Sequence, residues 1–424
     1  MREMVEAKET LSQGLLTQLA RELNIRVGVC PALPLTEGLA TLRQLQVAGT
    51  YPPFAEKDID RRADPEAVLK GAASIIAVAV PHQQHSVGQG LVDSLAARGS
   101  MVGFIAAFAL GEDYHRVVGR KLEAVISRLR EIYPTAGFAA HVDSGPALER
   151  SIAARTGIGS IGRSGLLVTP EYGAQIYLGL IYTTLNPPLD FAGFQGGAPE
   201  GSGTGCSDCG ACARACPAGI IPPAGRAAEM KDYNPYRCVS YLTQRKGFIP
   251  RDLRPLMGRM IYGCDACQWA CSPLETEGEV SNEVSSGSPD EVNTVDLPEF
   301  LTVSSGEFSA GYGKTAAGWR GRTTLQRNAI IVLGNSGNPE ALDVLIQQVS
   351  DERPVIRGHA AWAIAEVVKA QTVAGEAGLR SKWLEKTVDR GREALSRALL
   401  SEDHERVRDE IHEALKILTL SYKE

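Results

Sequence analysis

Leu11, Leu15, Leu16, Leu19 and Leu23 recur at the three- and four-residue steps that share one helical face, so residues 9–24 are predicted to form a helix. Residues 26–29 and 74–80 read as strands, the second almost wholly apolar and so covered on both faces. Residues 113–133 return to the helical period, with Val117, Leu122, Ile126 and Leu129 facing inward. Further strands are predicted at 139–143, 166–168 and 176–180. Strands and helices alternate over residues 1–190, which predicts an α/β domain around one sheet.

Glycine crowds residues 191–205 (FAGFQGGAPEGSGTG), marking a long connector. Residues 275–309, rich in Glu, Ser, Gly and Asn, predict a second loop or linker. Beyond them the pattern is helical. Residues 324–349 hold a helix, a turn at Gly334-Asn335-Ser336-Gly337-Asn338-Pro339 and a second helix; 353–368 and 387–419 supply more. Such antiparallel pairs suggest a short solenoid of the HEAT type, with a plain helical bundle as the alternative. The whole is predicted to be multi-domain α+β: a sheet domain over 1–190, a cysteine-bearing domain over 191–275, a linker over 276–310 and a helical repeat over 311–424.

Composition narrows this picture. The chain has 424 residues, 44% of them hydrophobic, which excludes a wholly disordered protein. With 44 Lys+Arg against 50 Asp+Glu the net charge is −6, which excludes a uniformly basic nucleic-acid coat but not a local patch. The opening Met1-Arg2-Glu3-Met4-Val5-Glu6 lacks an apolar core of signal-peptide length. The longest apolar runs (72–81, 101–110 and 174–185) fall short of the roughly 18–20 residues that span a bilayer. These features predict a soluble, cytoplasmic protein with no membrane partner. In that reducing compartment, spaced cysteines favour metal binding over disulfides.

Eight of the nine cysteines lie between Cys206 and Cys271. Cys206, Cys209, Cys212 and Cys216, followed by Pro217, match the bacterial ferredoxin run, in which three thiolates hold one [4Fe–4S] cluster and the fourth serves its neighbour. The spacing assigns Cys206, Cys209, Cys212 and Cys271 to one cluster, and Cys216, Cys238, Cys264 and Cys267 to the other. Two zinc sites are the alternative, but these usually present paired CxxC knuckles. Ser272 stands where a proline commonly follows the last cysteine, a matter of backbone shape rather than ligation. Cys30, alone at an apolar strand end, is predicted to be a buried structural thiol. Two neighbouring clusters form an electron relay, and no dinucleotide or phosphate-loop fingerprint accompanies them.

The segment VDSGPALER (142–150) places Asp143 at a strand end, where the pattern suits a helix N-cap as well as catalysis. Residues 157–165 form a glycine-dense loop that a bulky ligand could approach closely. Together with Arg62-Ala63-Asp64-Pro65, Asp113-Tyr114-His115, GIGSIGRSGLL (157–167), the cysteine pattern, RCVSYLT (237–243), IYGCDACQ (261–268) and AAGWRGRTTLQRNAIIVLGNSG (316–337), they resemble the epoxyqueuosine reductases over nearly the whole chain.

The resemblance implies a cobalamin- and iron–sulfur-dependent enzyme acting in the last step of queuosine synthesis. Such enzymes reduce the epoxide of epoxyqueuosine to an alkene at the tRNA wobble base. It implies Asp143 as proton donor and a loop bearing Gly159, Ser160, Ile161, Gly162, Arg163 and Ser164 against the corrin. Arg62, Tyr114, His115, Ser144 and Ser240 are implied near the cofactor. An external electron donor such as a flavodoxin or ferredoxin system, and a monomeric state, are also expected. Burial in an apolar pocket is expected to raise the Asp143 carboxyl pKa and keep it protonated. No DxHxxG motif is present to supply an axial imidazole; His82, His85 and His141 are predicted to be surface or packing residues, and His115 to face the pocket. Members commonly read GLGWIGKN in the loop. Here Ser160 replaces the Trp, Arg163-Ser164 replaces Lys-Asn, and Glu112 replaces a common Arg.

For RNA, Lys314, Arg320, Arg322 and Arg327 occur between residues 311 and 330 without an acid, and Arg353, Arg357 and His359 follow one helix later. A concave solenoid face that grips tRNA phosphates is predicted there, with a merely solvated helix face as the alternative. The rival functions are a corrinoid reductase of another substrate, similar to reductive dehalogenases, and an iron–sulfur electron-transfer protein with a helical docking domain.

Overall fold

The computed structural model describes residues 9–82, 100–188, 206–225, 233–271, 294–375 and 382–420. The connector at 191–205, the first part of the predicted linker, His85 and Ser272 lie outside the described residues. The chain divides into two compact units. The first comprises Met1–Gln84, Gly111–Cys238 and Asp265–Ser286, and the second His85–Leu110, Val239–Cys264 and Gly287–Glu424.

In the first unit the predicted leading helix forms as Gln13–Glu22, capped by Ser12, whose hydroxyl accepts from the Leu15 N–H. A four-stranded sheet runs in the order Arg26–Pro31, Ser74–Pro81, Ile176–Thr183, Phe138–His141. Every residue of Ser74–Pro81 is buried, as its apolar run predicts. All neighbours in this sheet are antiparallel, however, and not the parallel pairs of an α/β fold. An apolar run reports cover on both faces and is silent about strand direction. The helix Tyr114–Ile132 packs on the sheet with Val117, Val118, Leu122, Val125, Ile126 and Leu129 buried. It approaches closely because Gly179 has no side chain; a Cβ there would stand 2.7 Å from Val118. Cys30 is fully buried, and burial pushes its thiol up to about 12. It is structural, as predicted.

The second unit corrects the expectation of one N-terminal sheet. Val102–Ile105 lies between Met260–Tyr262 (parallel) and Thr294–Asp296 (antiparallel) in a separate three-stranded sheet. Part of the predicted linker is therefore ordered structure, including the helices Leu297–Thr302 and Ser305–Ala310. The helical region comprises Arg322–Ser336, Ala341–Gln348, Pro354–Gly375, Lys382–Ser401 and Glu405–Leu420.

Buried polar groups fasten residues 239–264 to these helices. Asn328 donates to the carbonyls of Thr243 (2.7 Å) and Ile261 (2.6 Å). Arg254, fully buried, forms a two-pronged ion pair with Glu410. Among the described residues no helix is long and apolar enough to cross a membrane.

Candidate active site

Asp143 follows the edge strand Phe138–His141, two residues past its end. It is not a helix N-cap: the helix Glu149–Arg155 begins after Leu148 and has no side-chain cap. Instead Asp143 sits at the centre of a tight turn closed by a Ser144 N–H to Val142 carbonyl bond of 2.5 Å. Its φ of 50° lies in the left-handed region, where Asp is tolerated but still strained. Gly145 continues the turn at φ 140°, and a Cβ there would stand 2.6 Å from His141 Nε2.

Neighbouring side chains hold this turn in place. Glu149 accepts from the Asp143 N–H (2.6 Å) and contacts His141 Nδ1 (3.1 Å). Arg62 donates to the Pro146 carbonyl (3.3 Å) and to the Tyr51 hydroxyl. Arg62, expected near the cofactor, thus supports the Asp143 turn. The Ser144 hydroxyl donates back to the Val142 carbonyl at 3.2 Å.

The Asp143 carboxylate meets the start of the helix Tyr114–Ile132. Tyr114 donates its hydroxyl to Oδ2 at 2.7 Å, and His115 Nε2 lies 3.6 Å from the same oxygen. The second distance is that of an ion pair rather than a hydrogen bond. Asp113 caps the helix through the His115 N–H and holds the imidazole Nδ1 at 2.8 Å. His115 therefore stands between two carboxylates, and the Asp143 carboxylate foremost raises it to about 9. Conversely, His115, then the Tyr114 hydrogen bond, holds the Asp143 carboxyl below its ordinary value against the opposing effect of burial.

This overturns the expected protonated acid. The Asp143 side chain is 61% exposed and paired, so desolvation is not the dominant effect. The pairing favours the proton on His115 over Asp143. The rings of Tyr114 and Tyr177 stack at 5.1 Å, extending the cluster to a sheet residue.

The glycine loop is a short hairpin, Ser160–Ile161 against Leu167–Val168. Its glycines serve its own packing: a Cβ on Gly159 would stand 2.5 Å from the Val168 carbonyl, and one on Gly162 would stand 2.7 Å from the Val168 side chain. Ile161 is exposed, and the Ser164 hydroxyl accepts from the Leu166 N–H. Arg163 turns toward Asp208 in the cysteine run instead of lying free at a cofactor edge. Ser240 belongs to the second unit, where its hydroxyl accepts from Gln244 at 3.1 Å.

Cysteine electrostatics carry spatial information. The Cys271 thiol is pushed up to about 11, first by burial and then by Cys206, Cys212 and Cys209. Cys212 is raised by burial and then by Cys206 and Cys209. Four thiols are the donor set that an iron–sulfur core takes, and Cys206, Cys209 and Cys212 lie near enough to Cys271 to raise it, although among the described residues no three metal-ligating side chains converge closely enough to hold a single ion. Cys216, Cys238 and Cys267 fall in the first unit, and Cys264 is the residue at which the chain leaves the second.

The predicted RNA contacts fare unevenly. Arg327 is fully buried and donates to the carbonyls of Arg245 (2.7 Å), Gly247 (2.7 Å) and Leu242 (3.3 Å). Arg357 is locked in a two-pronged pair with Glu402 at 2.6 and 2.7 Å. Arg322 donates to the Val303 carbonyl at 3.0 Å. Arg327 is structural, because burial denies it the exposure that counting charges assumes, whereas Arg322 and Arg357 are half-buried and engaged with these partners. Lys314 is exposed, and Arg320 lies 4.3 Å over the ring of Trp319, itself 54% exposed.

Sequence reasoning missed Glu149 and Trp319 as candidates. Glu149 was present in the VDSGPALER string but reads there as ordinary first-turn acid.

Comparison with known proteins accords with this arrangement. Residues 62–144 match the family described as epoxyqueuosine reductase QueG, DUF1730, residues 205–273 a 4Fe-4S double cluster binding domain, and residues 321–416 HEAT repeats. An epoxyqueuosine reductase of Bacillus anthracis is 33% identical over 343 residues, covering 81% of this chain and 85% of that protein. The Escherichia coli enzyme is 29% identical over 309 residues, covering 73% and 76%.

A crystal structure of epoxyqueuosine reductase with an epoxyqueuosine-modified tRNA-Tyr stem loop superposes with a TM-score of 0.77 at 27% identity, covering 96% of this chain and 98% of that one. A Bacillus subtilis structure, described as having its catalytic aspartate loop swung out of the active site, gives 0.75 at 28% identity over 95% and 99%. By sequence along most of its length, and by fold, the chain belongs to the epoxyqueuosine reductase family.

Proposed function

We propose that this protein reduces epoxyqueuosine to queuosine at the wobble position of tRNA, with the Asp143–His115 pair supplying the proton that leaves with the epoxide oxygen. The observation that carries the reading is the exposed Asp143 carboxylate, 3.6 Å from a His115 imidazole that keeps its proton to about pH 9. Opening an epoxide to an alkene consumes two electrons and two protons and releases water, so an acid beside the oxygen lowers the barrier. Asp143 faces the substrate beside the protonated His115, which is the proton reserve of the pair, while Tyr114 fixes the carboxylate's orientation.

The electrons pass through two [4Fe–4S] clusters, one on Cys206, Cys209, Cys212 and Cys271 and the other on Cys216, Cys238, Cys264 and Cys267. Cobalamin, when bound, supplies the reductive chemistry at the epoxide carbon. We assign the corrinoid to the sheet-bearing N-terminal domain, with Tyr114, Ser144, Ser160, the exposed Ile161 and Ser164 to hold it. Those side chains offer both apolar and hydrogen-bonding surface, which suits a corrin with amide arms. An external one-electron donor of the flavodoxin or ferredoxin kind feeds the clusters, and a monomer in the cytoplasm is the expected state. For tRNA we retain Lys314 and the Trp319–Arg320 pair, which offer charge for phosphate and a ring face for a base.

Asp143→Asn tests the proton route. The variant should bind corrinoid and carry both clusters as the parent does, yet yield no queuosine. Turnover at the parent rate would remove Asp143 from the role.

A further inference from the structure

The side chain of Arg163, 7% exposed, is committed to the cysteine run. Its Nε donates to Asp208 Oδ1, and its Nη1 donates to the Pro222 carbonyl at 3.3 Å. Its own carbonyl accepts from the Tyr233 hydroxyl. Asp208 lies between Cys206 and Cys209 and adopts φ 54°, the left-handed region.

The same hairpin also lies against Cys206. The Ser160 hydroxyl accepts from the Cys206 N–H at 3.3 Å, and a Cβ on Gly162 would stand 3.6 Å from Cys206 Sγ. Ser160 and Arg163 thus both reach the segment that carries three predicted cluster ligands.

We propose that the Arg163–Asp208 pair is a positioning and charge device that raises the reduction potential of the cluster held by Cys206, Cys209, Cys212 and Cys271, an inference that rests on that cluster assignment. Reduction adds one electron to the cluster, so a nearby cation stabilises the reduced form and a nearby anion opposes it. The two charges do not cancel. Asp208 is 51% exposed and is screened by water, whereas Arg163 is enclosed and acts through protein.

The test is a redox titration followed by electron paramagnetic resonance, on full-length protein reconstituted with iron and sulfide and without cobalamin or tRNA. Cys271→Ala identifies which of the two waves belongs to this cluster. Arg163→Met should lower that potential and Asp208→Asn should raise it. The Arg163→Met shift should be about tenfold in the reduction equilibrium, or about 59 mV for a one-electron couple, and the Asp208→Asn shift smaller because that charge is screened. Arg163→Lys, which keeps the charge, should stay near the parent, and the double variant R163M/D208N should remain below it, because the enclosed cation outweighs the screened anion.

Shifts of the same sign in both single variants, or no shift with both clusters retained, would overturn the proposal. If Arg163→Met loses the cluster, Asp208→Asn decides: an unshifted potential there overturns it equally. A parent protein without two clusters would instead overturn the ligand assignment beneath it.

Discussion

Replacing Glu149 by Ala removes the acceptor that holds the Asp143 N–H at 2.6 Å and His141 at 3.1 Å, without touching the carboxylate that does the chemistry. Hydrogen bonds to a charged partner contribute about 1.5–3 kcal/mol each in partly buried settings. The left-handed φ at Asp143 costs on the order of 1–3 kcal/mol and persists only while its surroundings enforce it. Without Glu149 the turn should relax outward, with the inward arrangement disfavoured by about 1.5–3 kcal/mol. At about 1.4 kcal/mol per tenfold, that lowers the competent population by roughly 10- to 150-fold.

The assay is kcat/KM on an epoxyqueuosine stem loop by nucleoside mass spectrometry, paired with hydrogen exchange over residues 142–146. We expect kcat/KM to fall within that range and those amides to exchange faster, while Glu149→Gln, which keeps an acceptor, loses less than about tenfold. An alanine variant with parental kcat/KM and unchanged exchange would refute the reasoning.

His115 offers a pH test. Its folded pKa of about 9 lies above its unfolded value, so the stability it contributes is whole below about 6.5 and is lost as pH rises through 9. The Asp143 contribution has the opposite sense, present above the ordinary carboxyl range and lost as pH falls below it. Saturated turnover should accordingly hold to about pH 8 and decline beyond 9, and His115→Gln should abolish that limb; a parental profile flat to pH 10 would contradict the assignment. Arg327→Met should strip buried carbonyls of their partner, at about 3–5 kcal/mol, and lower Tm by about 10 °C while leaving stem-loop affinity unchanged. Lys314→Ala should do the reverse, weakening binding and reducing the salt slope by about 1. Cys271→Ala should remove one cluster's iron, whereas Cys30→Ala should leave iron content intact because Cys30 is sealed in the sheet.

The parts of this fold that were legible in the sequence are those governed by local period. The helix Tyr114–Ile132 and the strand Ser74–Pro81 follow from the spacing of apolar residues alone. Strand direction was not legible, because antiparallel and parallel strands covered on both faces carry the same apolar run. Nor was the pairing of Val102–Ile105 with Met260–Tyr262, which depends on a contact across more than 150 residues of chain.

At the site, residue identity pointed to Asp143, but its ionisation depended on His115 and Asp113 reaching it from another element. Charge counting likewise could not distinguish exposed Lys314 from Arg327, whose buried guanidinium is taken up by backbone carbonyls and the Asn328 side chain. The glycines of residues 157–165 suggested room for a ligand, yet at Gly159 and Gly162 the room is occupied by the hairpin's own Val168.

The most direct test of the whole account is anaerobic reconstitution with iron, sulfide and cobalamin, followed by reaction with tRNA carrying epoxyqueuosine and nucleoside mass spectrometry. The account predicts conversion of epoxyqueuosine to queuosine by the parent protein and none by Asp143→Asn. Unchanged epoxide in a parent protein that holds both clusters and the corrinoid would contradict it.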